Sequence, residues 1–236
     1  PLYAEMTAEL PPDVYEQLGE AVRKNEEAVR QAFEAFAKAN QLSHEWRYVD
    51  ISFGFGKSEA MAESHCADLI VCAKRTEDMS DPWGDFAETA VLQSGRPVLL
   101  LPQNMQGTSF GRHVVVAWNA TREAARAVFD SLDFLRNAAS VRAVSLIANE
   151  ADRGEATAGG AKLLAALSRH GILATFDVSV AGSESTGEML LSRLMDEGCD
   201  LLIMGGYSRS PLREMIFGGT SRSILRETWV PTLVSH

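Results

Sequence analysis

The chain has 236 residues, a hydrophobic content of 46% and a net charge of −10, from 22 basic and 32 acidic side chains. This apolar content suffices for a packed core, and the acidic balance argues against a nucleic-acid-binding protein, which needs a basic surface to neutralise phosphates. No apolar run reaches the roughly 20 residues of a membrane span, no signal peptide is visible at the start, and three cysteines without CxxC spacing indicate free thiols in a reducing cytoplasm.

The first half of the chain predicts a long helix and then alternating strands and helices. Residues 13–41 have helical periodicity, with an apolar stripe that we expect to be buried. The stripe consists of Val14, Leu18, Val22, Val29, Phe33 and Phe36. Strands are predicted at WRYVDIS, DLIVCA and RPVLLLP, and helices at KSEAMAESHC and DFAETAVLQSG. Residues 103–111 contain two glycines and few apolar side chains, and we interpret them as a linker.

The second half alternates between strands and helices along its whole length. Strands are predicted for 113–118, 141–148, 175–181, 201–205 and 231–235. Helices are predicted for 121–138, 159–171, 186–198 and 221–229, the second and third being ended by glycine. Such alternation indicates a parallel sheet with helices on both faces.

An internal repeat links the two halves. ADLIVCAK and CDLLIMGG each place an aspartate before an apolar run, and each is followed by a second apolar run that begins at a proline. Asp68 and Asp200 are 132 residues apart, and Pro97 and Pro231 are 134 residues apart. A spacing kept this closely over both features predicts a duplicated domain.

We therefore predict an α/β fold of two tandem, doubly wound, Rossmann-like parallel-sheet domains, at residues 1–102 and 112–236, joined by the linker 103–111. The first domain has no counterpart of the strand–helix–strand at 113–148. A sheet without its first strands leaves raw edges, so we expect about 40–50 further residues in the native protein; a degenerate first domain is the alternative. Duplicated domains are expected to pair about a pseudo-twofold axis as an intramolecular pseudo-dimer. The last strand of each domain is the candidate edge for this pairing, and a homodimer of two chains is left open.

Residues 201–225, LLIMGGYSRSPLREMIFGGTSRSIL, contain two glycine pairs separated by a basic and apolar stretch. Glycine permits turns with φ > 0 and close approach of backbone N–H groups to a ligand. The second pair, Gly218 and Gly219, precedes a predicted helix that begins with Thr220 and Ser221. A helix N-terminus binds phosphate, and Arg209 adds positive charge. This pattern favours a polyphosphate site; the alternative is that the glycines only make turns and the hydroxyls only cap the helix.

Other motifs in the chain are incomplete. FGFGKSE lacks the glycines that a phosphate loop or dinucleotide fingerprint requires at positions 51 and 59. GYSRS approaches the GxSxG nucleophile elbow, but Ser210 stands where the second glycine belongs. The five histidines are scattered without a triad or metal-site neighbourhood. A hydrolase or a redox enzyme is therefore not favoured.

The second half resembles a universal stress protein domain, and the whole chain resembles the tandem bacterial type. The nucleotide pattern of that family, G-x2-G-x9-G-[ST], begins here at Gly205, with Ser208 in place of its second glycine. Gly218 is the third glycine, and Gly219 stands at the [ST] position, one residue before Thr220. VVVAWNATREAARAV and VPTLVSH are similar to the first strand with its helix and to the last strand of the family.

The resemblance implies a cytoplasmic stress-response protein that binds ATP or a related adenine nucleotide, with or without Mg²⁺, in the second domain. Asn119, where ATP-binding members have an acid, and Ala120 would lie near the ribose, and the Ile147 backbone would meet the adenine. The phosphates would be held by Gly205, Gly206, Ser208, Arg209, Gly218, Gly219, Thr220 and Ser221. No carboxylate or histidine in the motif is placed to activate water, so we expect a regulatory role with little or no hydrolysis.

Two further expectations concern the first half. Its equivalent loop, AKRTEDMSDPWGD, has no paired glycines and many acidic residues, so we expect no nucleotide there. The alternative function is a non-nucleotide scaffold or interaction module that binds a protein or small ligand. The long helix at 13–41 would then offer the docking face.

Overall fold

The computed structural model describes residues 12–49, 56–74, 86–103, 105, 107, 109–180, 185–206 and 228–236. The chain divides into two compact units, Pro1–Val49 and Asp50–His236. No helix in the described ranges is long and apolar enough to cross a membrane.

The first unit contains one helix, α1 (Pro12–Ala39), which confirms the helix predicted at 13–41. The prediction that its stripe is buried is wrong for the four members whose side chains are described. Val22, Val29, Phe33 and Phe36 are 50%, 50%, 37% and 62% exposed. Helical periodicity identifies an apolar face, but only a packing partner can cover it.

The segment after α1 folds back onto the helix. The Trp46 indole N–H donates to Glu26 Oε1 at 3.2 Å, and the Trp46 ring lies 5.7 Å from the Phe33 ring. The strand predicted at WRYVDIS is wrong over its described part, because residues 46–49 are not in a strand. Their side chains make contacts back to the helix, and their backbone pairs with no sheet.

The second unit consists of alternating helices and strands. Its first elements are α2 (Gly56–Ser64), β1 (Ile70–Ala73), α3 (Phe86–Gln93), β2 (Val98–Leu101), β3 (His113–Ala117), α4 (Arg122–Asp130) and α5 (Leu132–Asn137). They are followed by β4 (Ser140–Ile147), α6 (Arg153–Arg169), β5 (Ala174–Val180), α7 (Thr186–Asp196), β6 (Leu201–Gly205) and β7 (Thr232–Ser235). These elements lie close to the predicted ones and confirm the α/β fold.

The strands form a single sheet in the order β1-β2-β7-β6-β3-β4-β5. All neighbours are parallel except β2 and β7, which pair antiparallel with Leu99 opposite Leu233. The prediction that the last strands of the two halves pair is therefore confirmed. The domain boundaries at 102 and 112 stay a prediction.

The sequence repeat is reproduced in the hydrogen bonding of the sheet. The Ile70 amide donates to the Pro97 carbonyl at 3.0 Å, and the Leu202 amide donates to the Pro231 carbonyl at 2.9 Å. Ile70 and Leu202 are 132 residues apart, as are the two aspartates. The strands that follow keep one register, with Ala73 opposite Leu101 in the first pair and Gly205 opposite Ser235 in the second.

The helix predicted at 121–138 is two helices, α4 and α5, which is a correction. The break lies at Ser131, which has φ −106° and ψ 11°. The Ser131 hydroxyl donates to the Val128 carbonyl at 2.9 Å, and this local bond competes with continued helix. Helix α6 also begins earlier than predicted, after a short 3₁₀ turn at Glu150–Asp152.

The core consists of two clusters on opposite faces of the sheet. Val114 and Val116 belong to one cluster, and Val115, which alternates with them, belongs to the other. Helices α4, α5 and α6 cover the first face, whereas α3 and α7 cover the second. The sheet is therefore buried on both faces where the carboxyl ends of β3 and β6 meet.

Candidate functional site

The sheet changes its winding direction between β3 and β6. From β3 the chain proceeds outward to β4 and β5, and then returns to place β6 and β7 on the other side of β3. The five strands β3 to β7 run parallel, so their carboxyl ends share one edge, here called the carboxyl edge. Doubly wound folds bind ligands in the crevice at such a reversal.

Four of the predicted nucleotide-binding residues lie on the two sides of this reversal. Asn119 and Ala120 follow β3, whereas Gly205 ends β6 and Gly206 comes next. The two strands are in register with Ala117 opposite Met204. Residues far apart in the sequence are thus brought to one edge.

Ile147 lies at the same edge on the neighbouring strand. Ala117 is opposite Val144 of β4, and the Trp118 amide donates to the Val144 carbonyl at 2.8 Å. Strand β4 continues for three residues beyond Val144 and ends at the half-buried Ile147. Its backbone is therefore beside the turn that follows β3.

The turn after β3 is held by its own side chains. Asn119 Oδ1 accepts from the Thr121 hydroxyl at 2.7 Å and from the Thr121 amide at 3.3 Å. Thr121 caps α4 by accepting from the Ala124 amide at 3.3 Å. Ala120 has φ +57°, a left-handed conformation that favours glycine.

Replacing Ala120 with glycine is expected to raise the free energy of unfolding by about 0.5–1 kcal/mol, because glycine adopts positive φ without the Cβ penalty. Urea denaturation followed by circular dichroism measures the change. The control is Ala165→Gly, the same substitution at an exposed position in α6, which should lower stability by about 0.5–1 kcal/mol. A loss of stability at both positions would contradict the strain assigned to Ala120.

The first glycine pair is required for packing. The expectation of a positive-φ turn there is wrong, since neither Gly205 nor Gly206 has positive φ. A Cβ added at Gly205 would lie 2.5 Å from the Ala124 backbone nitrogen, and one at Gly206 would lie 2.8 Å from Val234 Cγ1. The absence of side chains lets α4 sit directly on the end of β6.

The remaining predicted site residues lie outside the described residues. They are Ser208, Arg209, Gly218, Gly219, Thr220 and Ser221. Of the helix predicted at 221–229, only Thr228 and Trp229 are described, and neither is helical, so the prediction is wrong at that end. The Thr228 hydroxyl accepts from the Val230 amide at 3.4 Å, which forms a turn before β7.

Glu123 was missed by sequence reasoning, although it lies at the carboxyl edge. Its side chain is buried in the first turn of α4, beside Gly205, and accepts from Arg122 Nε at 2.7 Å. Burial opposes ionisation, but the hydrogen bonds from Arg122 and its own amide, with the charges of Arg122 and His236, lower the pKa of this carboxyl. The sequence signal was only an acid in the first turn of a predicted helix.

His236 is the second residue that sequence reasoning missed. Its Nδ1 lies 3.1 Å from the Gly206 carbonyl oxygen, and the Gly206 amide donates to the Ser235 carbonyl at 2.9 Å. The Ser235 hydroxyl donates to Asp130 Oδ2 at 2.9 Å, which ties β7 to α4. Searching for groups within the glycine motif could not find a histidine supplied by the next strand.

The cysteines at this part of the fold are free and unreactive in character. Burial raises the pKa of the Cys72 thiol, and it raises that of Cys199 to about 11. Cys66 is exposed and is also free. Within the described residues, no group of three or more His, Cys, Asp or Glu side chains could hold a metal ion.

A cavity of about 300 Å³ lies at the opposite edge, where β3, β4 and β5 begin. Its lining includes His113, Arg142 and Glu197. Arg142 is already paired with Glu197 at 3.0 Å and Asp177 at 3.2 Å, so its charge is largely neutralised. The carboxyl edge, with its convergent turns, is the better candidate for a binding site.

Comparison with known proteins identifies the family. A model of the universal stress protein family matches residues 111–236, more than half of the chain. The chain belongs to the universal stress protein family. No curated protein matches it.

Solved structures of universal stress proteins share the fold. A universal stress protein from Archaeoglobus fulgidus DSM 4304 is 18% identical, covers 96% of this chain and 83% of its own, and has a TM-score of 0.69. A putative universal stress protein from Pseudomonas aeruginosa UCBPP-PA14 is 12% identical, covers 87% and 77%, and has a TM-score of 0.57. The A. fulgidus universal stress protein in complex with dAMP is 15% identical, covers 51% and 94%, and has a TM-score of 0.43.

Proposed function

We propose that this universal stress protein is a cytoplasmic, stress-response regulator that binds ATP or a related adenine nucleotide at the carboxyl edge, with little or no hydrolysis. The observation that carries the proposal is the winding reversal, flanked by Asn119 and Ala120 on one side and by Gly205 and Gly206 on the other. Family membership adds support, because the family includes ATP binders and non-binders with a related glycine pattern. The antiparallel β2–β7 contact supports a pseudo-dimer of tandem domains.

The groups beside the β3 turn fit the nucleoside part of such a ligand. Asn119 supplies an amide with both an acceptor and a donor. The indole N–H of Trp118 is buried and has no hydrogen-bond partner within the described residues. It lies under α6, where a Cβ added at Gly159 would be 3.7 Å away. An acceptor or ordered water there would relieve the cost of about 1–3 kcal/mol that an unpaired buried donor carries.

The charge at the phosphate side sets a condition on the ligand. The ionised Glu123 lies beside Gly205 and disfavours an uncompensated polyphosphate. Arg122 pairs with this carboxylate, and Arg209 would add charge from the predicted glycine loop. Mg²⁺ bound with the nucleotide would supply further positive charge, so we expect tighter binding of Mg-ATP than of free ATP.

The proposal is tested by titrating the purified protein with ATP in a calorimeter, with and without Mg²⁺. We expect binding, and we expect Gly218→Val to weaken it at least about tenfold, because the added side chain blocks backbone approach to phosphate. Denaturing the protein and separating the supernatant on an ion-exchange column shows whether nucleotide is released.

The matched control is Gly154→Val, since a Cβ at Gly154 meets nothing within 4 Å. It should leave the affinity for ATP unchanged. If no nucleotide is released and millimolar ATP produces neither heat nor a thermal shift in the unaltered protein, nucleotide binding is excluded as the function.

A second candidate function, an interaction module, is favoured by the exposed apolar row on α1. Val22, Val29 and Phe36 are each at least half exposed, and a contiguous apolar surface of this kind is typical of a binding face. The Gly218→Val variant discriminates between the candidates in complementation of a deletion strain under stress. Loss of complementation supports the nucleotide function, whereas full complementation supports a docking function.

A further inference from the structure

The peptide groups at the end of β6 are held by residues that follow β7. Gly206 donates its N–H to the Ser235 carbonyl at 2.9 Å. The carbonyl oxygen of Gly206 lies 3.1 Å from His236 Nδ1, so the imidazole donates to it when Nδ1 carries the proton. Both backbone polar groups of Gly206 are therefore engaged on the β7 side.

The charges around His236 come from α4. Glu123 is buried there, and its pKa is lowered in part by the charge of His236. Asp130 is joined to Ser235, next to the histidine, and to Arg126 at 3.6 Å. On the other side of the sheet, α3 presents an apolar contact, since a Cβ at Gly206 would lie 3.0 Å from Val91 Cγ1.

We propose that His236 is a positioning residue for the phosphates of the bound nucleotide, an assignment that rests on the proposed function. A carbonyl oxygen carries partial negative charge and disfavours a nearby anion. Donation from His236 turns the Gly206 carbonyl toward β7 and occupies its acceptor, which leaves the start of the glycine loop oriented for its N–H groups to meet phosphate. The same ring faces Glu123 and offsets part of its negative charge.

The location of His236 predicts a selective effect. It acts on the end of β6, where the phosphates are expected, and the nucleoside groups lie on the β3 and β4 side. Loss of the donor should therefore weaken a ligand in proportion to its phosphates. Adenosine, which has none, should be bound almost as well by a variant as by the unaltered protein.

The test compares the affinities of ATP and adenosine for three variants by calorimetry. His236→Leu, which removes the donor, should weaken ATP binding about fivefold to tenfold and adenosine binding less than about twofold. His236→Asn should restore ATP binding to within about threefold, because the Asn amide nitrogen occupies the place of Nδ1 and donates similarly. His65→Leu, which removes an exposed imidazole elsewhere, is the control and should change neither affinity.

The outcomes separate this assignment from the proposed function. ATP binding that is equal in the unaltered protein and in His236→Leu overturns the role of His236 and leaves nucleotide binding standing. A lower melting temperature with unchanged affinities, or an equal loss for ATP and adenosine, also overturns it, since either result shows a structural role. No nucleotide binding by the unaltered protein overturns both.

Discussion

Replacing Gly205 with alanine is expected to lower the free energy of unfolding by about 3 kcal/mol, because overpacking against backbone cannot be relieved by a side-chain rotation. The added Cβ would lie 2.5 Å from the Ala124 nitrogen and 2.6 Å from the Glu123 carbonyl carbon. Helix α4 would have to move away from β6, which also displaces the turn at Asn119. Equilibrium unfolding in urea measures the loss.

The control for Gly205 is Gly154→Ala in α6, where the added Cβ meets nothing within 4 Å. This substitution should leave stability unchanged or raise it by up to about 1 kcal/mol, through the lower entropy of the unfolded chain. Equal stability of Gly205→Ala and the unaltered protein would show that the close contact between β6 and α4 does not exist in solution.

Replacing Leu201 with alanine is expected to cost about 2–5 kcal/mol, the range for deleting a fully buried leucine side chain. Leu201 is 0% exposed at the start of β6, within the core cluster under α4 and α6. Thermal and urea unfolding monitored by circular dichroism both report the change. Leu173→Ala, at a leucine that is 90% exposed, removes the same atoms and should change stability by less than about 0.5 kcal/mol.

The second half of the fold was largely predictable because its signals are local. Apolar runs of five residues bounded by polar groups located β3 and β6, and glycines with positive φ ended α6 and α7 as expected at Gly171 and Gly198. The repeat was also visible, since it is a spacing. Errors arose where a single side chain decided the outcome, as when Ser131 divided one helical pattern into α4 and α5.

The first half was harder because its pattern depends on what covers it. The stripe of α1 is apolar at helical spacing, yet Val29 and Phe36 are exposed. Residues 46–49 have the β-branched and aromatic composition of a strand but pair with no other strand. Composition gives a preference for burial or pairing, and the tertiary partner decides whether it is fulfilled.

At the candidate site, the sequence located the turns but misjudged what holds them. Gly205 and Gly206 were singled out for conformational freedom, whereas the distances to Ala124 and Val234 show a steric requirement. Such a requirement exists only once α4 has packed, so no local pattern contains it. Glu123 and His236 join the site for the same reason, through the arrangement of α4 and β7 around β6.

The antiparallel contact between β2 and β7 fixes how many ligands the sheet can take and where. Because β1 and β2 run opposite to β6 and β7, their carboxyl ends lie on the other rim of the sheet. One small molecule cannot bridge the equivalent positions of both repeats, so each rim fills or stays vacant independently. A stoichiometry of one nucleotide per chain is then the natural result of a glycine pattern present on one rim only.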